Sequence, residues 1–173
     1  MISDLKSAII KEIINDESLF YAIDSNEIKD IKQANKLVYK HIFPYHRIDG
    51  TVTETSTLIT LQVHNREMSS WTKKWIASIL EIWIYSHSAH MKVDNIPKVN
   101  DNRNDYIAKL LDKKFNGRSS FGNNKDSKND IRLYESLTLT TNEEGATAQG
   151  FLYRHMIFKT KDLNNSPCNQ EGW

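Results

Sequence analysis

Apolar residues recur every three or four positions at the start of the chain and every second position through much of its middle. The sequence therefore predicts helices first and strands after. Leu5, Ala8, Ile9 and Ile13 fall on one side of a helical wheel, with Asp4, Lys6, Lys11 and Glu12 on the rest of it. A second apolar group, Leu19, Phe20 and Ile23, follows Asn15-Asp16, a pair able to cap a new turn. Asp24, Ser25 and Glu27 offer the start of a further short helix carrying Ile28, Ile31, Leu37 and Val38. It must stop before Pro44, because the residue preceding a proline avoids the α region. Residues 1–43 are read as a helical N-terminal segment.

From Thr51 the period changes to two. Ile59, Leu61 and Val63 alternate with Thr60, Gln62 and His64, the pattern of a half-buried strand. Trp71 to His90 satisfies two patterns at once. Trp71, Trp75, Ile79 and Trp83 lie four apart, as on a helix; Leu80, Ile82 and Ile84 alternate with Glu81, Trp83 and Tyr85, as on a strand rich in β-formers. The strand reading is preferred for Ile79 to Ser88, pairing back on Leu58 to His64 as a long hairpin.

After Pro97 comes the cleanest helical signal. Asp101 or Asn102 caps it, and Tyr106, Ile107, Leu110, Leu111 and Phe115 form its apolar stripe, with Leu110 and Leu111 expected buried against a sheet. Asn116-Gly117 ends it. Asn123 to Asp130 is polar and rich in turn formers, an exposed loop. Two more strands follow, Arg132 to Thr141 and Gln149 to Lys161, with a turn at Asn142-Glu143-Glu144-Gly145. Leu133, Leu137 and Leu139 mark one apolar face, and Leu152, Met156 and Phe158 mark the other strand's. The expected fold is α+β: one domain over residues 1–164, a four-stranded, mainly antiparallel sheet with helices on one face, and an extended C-terminal tail over 165–173.

Composition changes this picture little. The 173 residues are 39% hydrophobic and 26% charged, ordinary for one globular domain. A formal net charge of +1, with Lys and Arg interleaved among Asp and Glu, argues against nucleic acid as the main ligand. The single cysteine, Cys168, can form no internal disulfide and no zinc cluster, and reads as a tail thiol rather than a nucleophile. No apolar run reaches the length of a signal-peptide core or a bilayer span, so the expectation is a cytosolic chain or a part assembled inside a cell.

Candidate chemistry is sparse. If the hairpin pairs as drawn, His64, His87 and His90 would converge as three imidazoles able to hold zinc, but His87 and His90 differ by an odd number and face opposite ways on a regular strand. They read as surface histidines. Glu143-Glu144 falls in the expected turn, where neither burial nor a pocket tunes a general acid. Asn116-Gly117 and Ser119 to Gly122 match no phosphate-cradling loop, and neither serine has a nucleophile-elbow context. No catalytic, cofactor or metal site is assigned.

The aromatics carry more information. Trp71, Trp75, Trp83 and Tyr85 crowd one region, and Trp173 stands in the tail. Core packing accounts for part of this group; the rest are interface candidates, since Trp and Tyr give large contact area at low entropic cost. The long hairpin also offers edges for strand addition between subunits.

Three pieces of sequence resemble the neck proteins of tailed bacteriophages, known as tail-completion, tail-terminator or head–tail joining proteins. They are the sheet hairpin, the helix Asn104-Asp105-Tyr106-Ile107-Ala108-Lys109-Leu110-Leu111-Asp112, and the strand Tyr153-Arg154-His155-Met156-Ile157-Phe158-Lys159-Thr160 running into Asp162-Leu163-Asn164. Together they span Leu58 to Asn164. Similar ring folds occur in the tail barrels of short-tailed phages. The resemblance implies a non-enzymatic subunit of a six- or twelve-fold ring between the portal or its adaptor and the tail, without cofactor or membrane. It also implies at most weak contact with DNA in the lumen, and a place in a virion assembled in the bacterial host cytoplasm. Two other classes stand beside it: a small binding or regulatory module acting as monomer or dimer, and a hydrolase whose pocket gathers His87 with an Asp or Glu.

Overall fold

A computed structural model describes residues 2–23, 30–46, 56–67, 75–93, 100–121 and 131–163. Trp71, Trp173, Cys168, the expected loop Asn123 to Asp130, the tail over 165–173 and the expected helix start at Asp24 to Ile28 lie outside them, as does the side chain of Trp75.

Helix α1 (Ile2–Ile14) buries Leu5, Ile9, Ile10, Ile13 and Ile14, the stripe its three- and four-residue spacing dictates. Asp16 then starts α2 (Glu17–Ile23): its carboxylate accepts the Ser18 and Leu19 amides at 3.1 Å. A 3-10 helix over Ile31–Leu37 follows, started by Asp30 accepting the Lys32 amide. Tyr39 turns the chain in the left-handed region, φ 65°. There the helical reading of 1–43 ends early, because Ile42–Phe43 form strand β1.

β1 pairs in parallel with β2 (Thr57–Glu67) through Ile42↔Ile59 and Phe43↔Thr60. β2 forms the long antiparallel hairpin with β3 (Trp75–His87), from Thr57↔Ser86 to Glu67↔Ile76. Within the stretch that satisfies both periods, Trp75–His87 is strand, and Ser88, expected as its last residue, opens a short 3-10 turn. Helix α3 (Arg103–Phe115) starts at Asn102, which accepts the Asp105 amide at 2.9 Å, and stops at Asn116-Gly117, where Gly117 has φ 81°. A short ribbon of β4 (Ser120–Phe121) and β5 (Ile131–Arg132) precedes β6 (Thr138–Ala146) and β7 (Phe151–Leu163).

The main sheet has five strands in the order β1-β2-β3-β7-β6, not four. The extra strand is two residues long, too short to show a period of two in sequence. All pairings except β1 with β2 are antiparallel. Ile59, Leu61 and Val63 of β2, Leu80, Ile82 and Ile84 of β3, and Met156 and Phe158 of β7 meet the helices in one core. Leu111 is fully buried in that core, whereas Leu110 is only partly covered, at the edge of the face that Ile107, Ala108, Leu111 and Phe115 turn inward.

Two expectations about the C-terminal hairpin are corrected. Arg132 to Thr141 is not continuous strand: Leu133 and Leu137 are buried between β5 and β6. The turn is at Thr147–Gly150, not Asn142–Gly145. The Gly150 amide donates to the Thr147 carbonyl at 3.2 Å, and Gly150 takes φ 82°. Gly145 has a different use. It stands opposite Tyr153 in the ladder, and a side chain there would overlap the Tyr153 ring.

Charged groups staple the helices together. Arg118 makes two hydrogen bonds to Glu12, at 2.8 and 3.0 Å, and Lys114 reaches Asp16 at 2.8 Å. The Arg103 guanidinium, nearly wholly buried, donates to the carbonyls of Ala22, His90 and Lys92, joining α2, the segment after β3 and α3.

Candidate interaction surface

The strand period that sends Ile82 and Ile84 into the core sends Glu81, Trp83, Tyr85 and His87 to the opposite face of β3. Register with β7 sets Trp83 opposite His155 and Tyr85 opposite Tyr153. The result is an aromatic cluster on the side away from the helices. His155 stacks on Trp83 with ring centroids 3.6 Å apart, Tyr85 stacks on Trp83 at 6.0 Å, and Tyr153 tilts against both at 5.3 and 6.0 Å. His46, just past β1, packs against Trp83 at 5.2 Å.

Polar groups frame the cluster. Glu81 takes a hydrogen bond from His155 on one carboxylate oxygen, at 3.1 Å, and meets His64 across the other, at 3.5 Å. Burial holds the His46 imidazole below its ordinary pKa; Glu81 pulls it up and His155 pulls it down. Burial, with Tyr153 adding to it, pushes the Tyr85 phenol up. Its hydroxyl has no hydrogen-bond partner among the described residues.

Of the five aromatics singled out in sequence, the structure brings Trp83 and Tyr85 together. Trp83 is half-buried, and Tyr85 is 4% exposed beneath its neighbours, so the cluster presents Trp83 more than Tyr85. Trp75 opens β3, while Trp71 and Trp173 lie outside the described residues. Tyr153, His155 and His46 belong to the surface and were not singled out. For the first two a signal existed: Tyr153, His155 and Ile157 alternate with the buried Met156 and Phe158.

The histidines singled out in sequence have separate surroundings. His64 meets Glu81, His87 packs edge-on to Phe151 and accepts the Ala89 amide, and His90 bonds the Thr57 hydroxyl. Among the described residues no three His, Cys, Asp or Glu side chains are grouped to hold a metal ion. Glu143 and Glu144 sit in β6 rather than a turn. Glu144 and Asp105 both pair with Arg154 beside a groove of about 420 Å³ between the start of α3 and the β6–β7 hairpin. His87 does not line it. The two carboxylates at the groove both pair with Arg154, and the pair with Asp105 ties the start of α3 to β7.

No helix among the described residues is long and apolar enough to cross a membrane. A sequence profile of the family described as YomW matches residues 16–160. No curated protein matches the sequence. Among solved structures, a chain from the virion of a native gene transfer agent particle superposes with a TM-score of 0.52 at 10% sequence identity. The match covers 92% of this chain and 95% of that one, and at this identity it establishes a shared fold.

Proposed function

From the premise that this chain belongs to the YomW family, we propose that it is a structural subunit of a phage-type virion, acting by assembly and not by catalysis. The observation that carries this reading is the end-to-end correspondence with a gene transfer agent virion chain, 92% of one and 95% of the other. A shared core with unrelated elaborations would leave more of either chain unmatched. The finer proposal is a ring in the neck or tail, six- or twelve-fold, that joins portal or adaptor to tail inside a bacterial host. DNA passing through its lumen would make at most weak contacts with a chain of net charge +1.

The residues suit that task. A ring needs head-to-tail contacts between two different surfaces of one subunit. The face bearing Trp83, Tyr153 and His155 is one, with large rigid rings and a polar frame. The tail over 165–173, ending in Trp173, supplies a segment to reach an adjacent subunit.

Native mass spectrometry of the full chain, with peptide mapping of purified particles, tests the proposal. The expected result is a complex of six or twelve copies of the 20.1 kDa chain, and its peptides in particles. A chain that is strictly monomeric and absent from particles would support the monomeric binding module instead.

A further inference from the structure

The main sheet ends in two edges that differ in chemistry. On β2, the Ile59 amide donates to the His41 carbonyl, so odd-numbered residues direct their backbone groups outward. β1 pairs only as far as Thr60, leaving Val63, Asn65 and Glu67 without a strand partner on that side among the described residues. On β6, Asn116 accepts the Leu139 amide and covers the start of the edge. Beyond the irregularity between Leu139 and Thr141, the Thr147 amide donates to Phe151. Counting back by twos, Glu143 and Gly145 bond to β7, and Asn142, Glu144 and Ala146 point outward. These positions too lack a strand partner among the described residues.

We infer that these two edges join in adjacent copies of this chain, β6 of one subunit pairing antiparallel with β2 of the next, to close a ring through a continuous sheet. The inference deepens the ring reading and rests on it. Three observations carry it.

Direction is the first. Successive antiparallel pairings from β2 through β3 and β7 leave β6 antiparallel to β2, so a rotated copy extends the sheet without breaking its alternation.

Charge is the second. The open part of β6 holds Glu143 and Glu144, while the open part of β2 holds His64 and Arg66 against one acid, Glu67. Pairing β6 with its own copy would set acids against acids.

Stagger is the third. Within one subunit Glu143 lies level with Thr60, through His155 and Trp83. The open part of β2 begins further along, so the neighbour must be displaced along the strands. A shift of four residues sets Glu143 opposite His64, and a shift of six sets it opposite position 66, an arginine in the sequence; in both cases the partner is a basic residue, and His64, like Glu143, lies on the face away from the helices. These shifts are about 13 and 20 Å, against four strand spacings of about 19 Å per subunit. The strands then tilt by about 35° or 45° to the ring axis, the range that closed β-barrels adopt. An edge mismatch that would forbid a flat junction thus sets the tilt of a closed one.

The test uses the full chain carrying Cys168→Ser. Glu143→Cys is combined with His64→Cys in one protein and with Arg66→Cys in a second, and both are oxidised mildly. One of the two is expected to give disulfide-linked ladders running past the dimer, while a helical-layer control, Lys32→Cys with Lys109→Cys, gives none. Glu144→Pro removes an outward amide that its own fold does not use, so it should melt with Glu144→Ala but lower the assembled fraction at least about tenfold. Rings of native mass without either ladder, or Glu144→Pro assembling like Glu144→Ala, overturn the edge pairing and leave the ring reading intact. Cross-linking of Glu143→Cys alone that stops at dimers overturns it in favour of a two-fold β6 contact. A native chain that forms no assembly overturns both.

Discussion

The imidazole of His155 lies flat on the indole of Trp83, centroids 3.6 Å apart and planes within 9°. The two residues are 72 positions apart in sequence and meet because β3 and β7 pair in a register that sets them opposite each other. This stack is the centre of the surface away from the helices, with Tyr85, Tyr153 and His46 around it.

Removing the indole should be felt in the isolated subunit. Trp83→Ala is expected to lower unfolding free energy by about 2–3 kcal/mol, below the value for a wholly buried ring because Trp83 is half-buried. His155→Ala should cost about 1 kcal/mol, since it leaves the indole on Tyr85 and Tyr153. Urea titrations of the two variants measure this. Equal effects would mean that Trp83 is not the centre of the cluster.

The helical layer gives a second contrast. Leu111 is fully buried, so Leu111→Ala should cost about 3–5 kcal/mol; the half-covered Leu110 should cost about 1–2 kcal/mol on the same change. Thermal melts that ranked Leu110→Ala as the more damaging would reverse the assignment of the core face of α3.

What sequence revealed divides along the range of the interactions involved. α3 was legible in its bounds and in most of its stripe, because a cap at Asp101 or Asn102, the spacing of Ile107, Leu111 and Phe115, and a stop at Gly117 are all local signals, while the partial cover of Leu110 depends on the neighbours it meets. The β2–β3 hairpin was legible for the same reason, once the alternation of Leu80, Ile82 and Ile84 outweighed the four-residue spacing of the tryptophans. β1 was not, since two apolar residues carry no period. The C-terminal turn was misplaced because glycine answers two needs. Gly150 supplies a left-handed turn and Gly145 a gap for a ring, and only the fold tells them apart. The surface was half legible: Trp83 and Tyr85 stood out by type and crowding. His155 became visible as their partner only when the β3–β7 register was known.

Gly145 therefore makes its own prediction. A methyl group there would meet the Tyr153 ring, which is held by Trp83 and Tyr85. Gly145→Ala should cost about 1–3 kcal/mol and displace Tyr153 from the cluster. In a Tyr153→Ala background the same change should cost far less, so a double-mutant cycle reads the coupling directly. Additive effects would show that the glycine serves the backbone rather than the ring.

The last prediction concerns pH, and it turns on Asp16. Burial alone would push its carboxyl pKa up, but the hydrogen bond and charge of Lys114 and the amides of Leu19 and Ser18 more than offset this, and the net shift is downward. The folded state therefore holds its proton less tightly than the unfolded state, whose aspartate titrates near 3.8. A depressed carboxylate stabilises the fold above that value, and its contribution is lost as pH falls through the lower folded pKa. Asp16→Asn isolates the effect, because asparagine still caps α2 but cannot pair electrostatically with Lys114. Above about pH 5 the native chain should be the more stable of the two, and the gap should close as pH falls from about 4 towards 2. Added salt should narrow the gap at neutral pH only in part, since both side chains are mostly sheltered. Urea titrations of both proteins across that range supply the measurement. A gap that stayed constant down to the acid limit would mean that Asp16 acts at the helix start through its hydrogen bonds alone, and that its charge contributes nothing to the junction of α2 with α3.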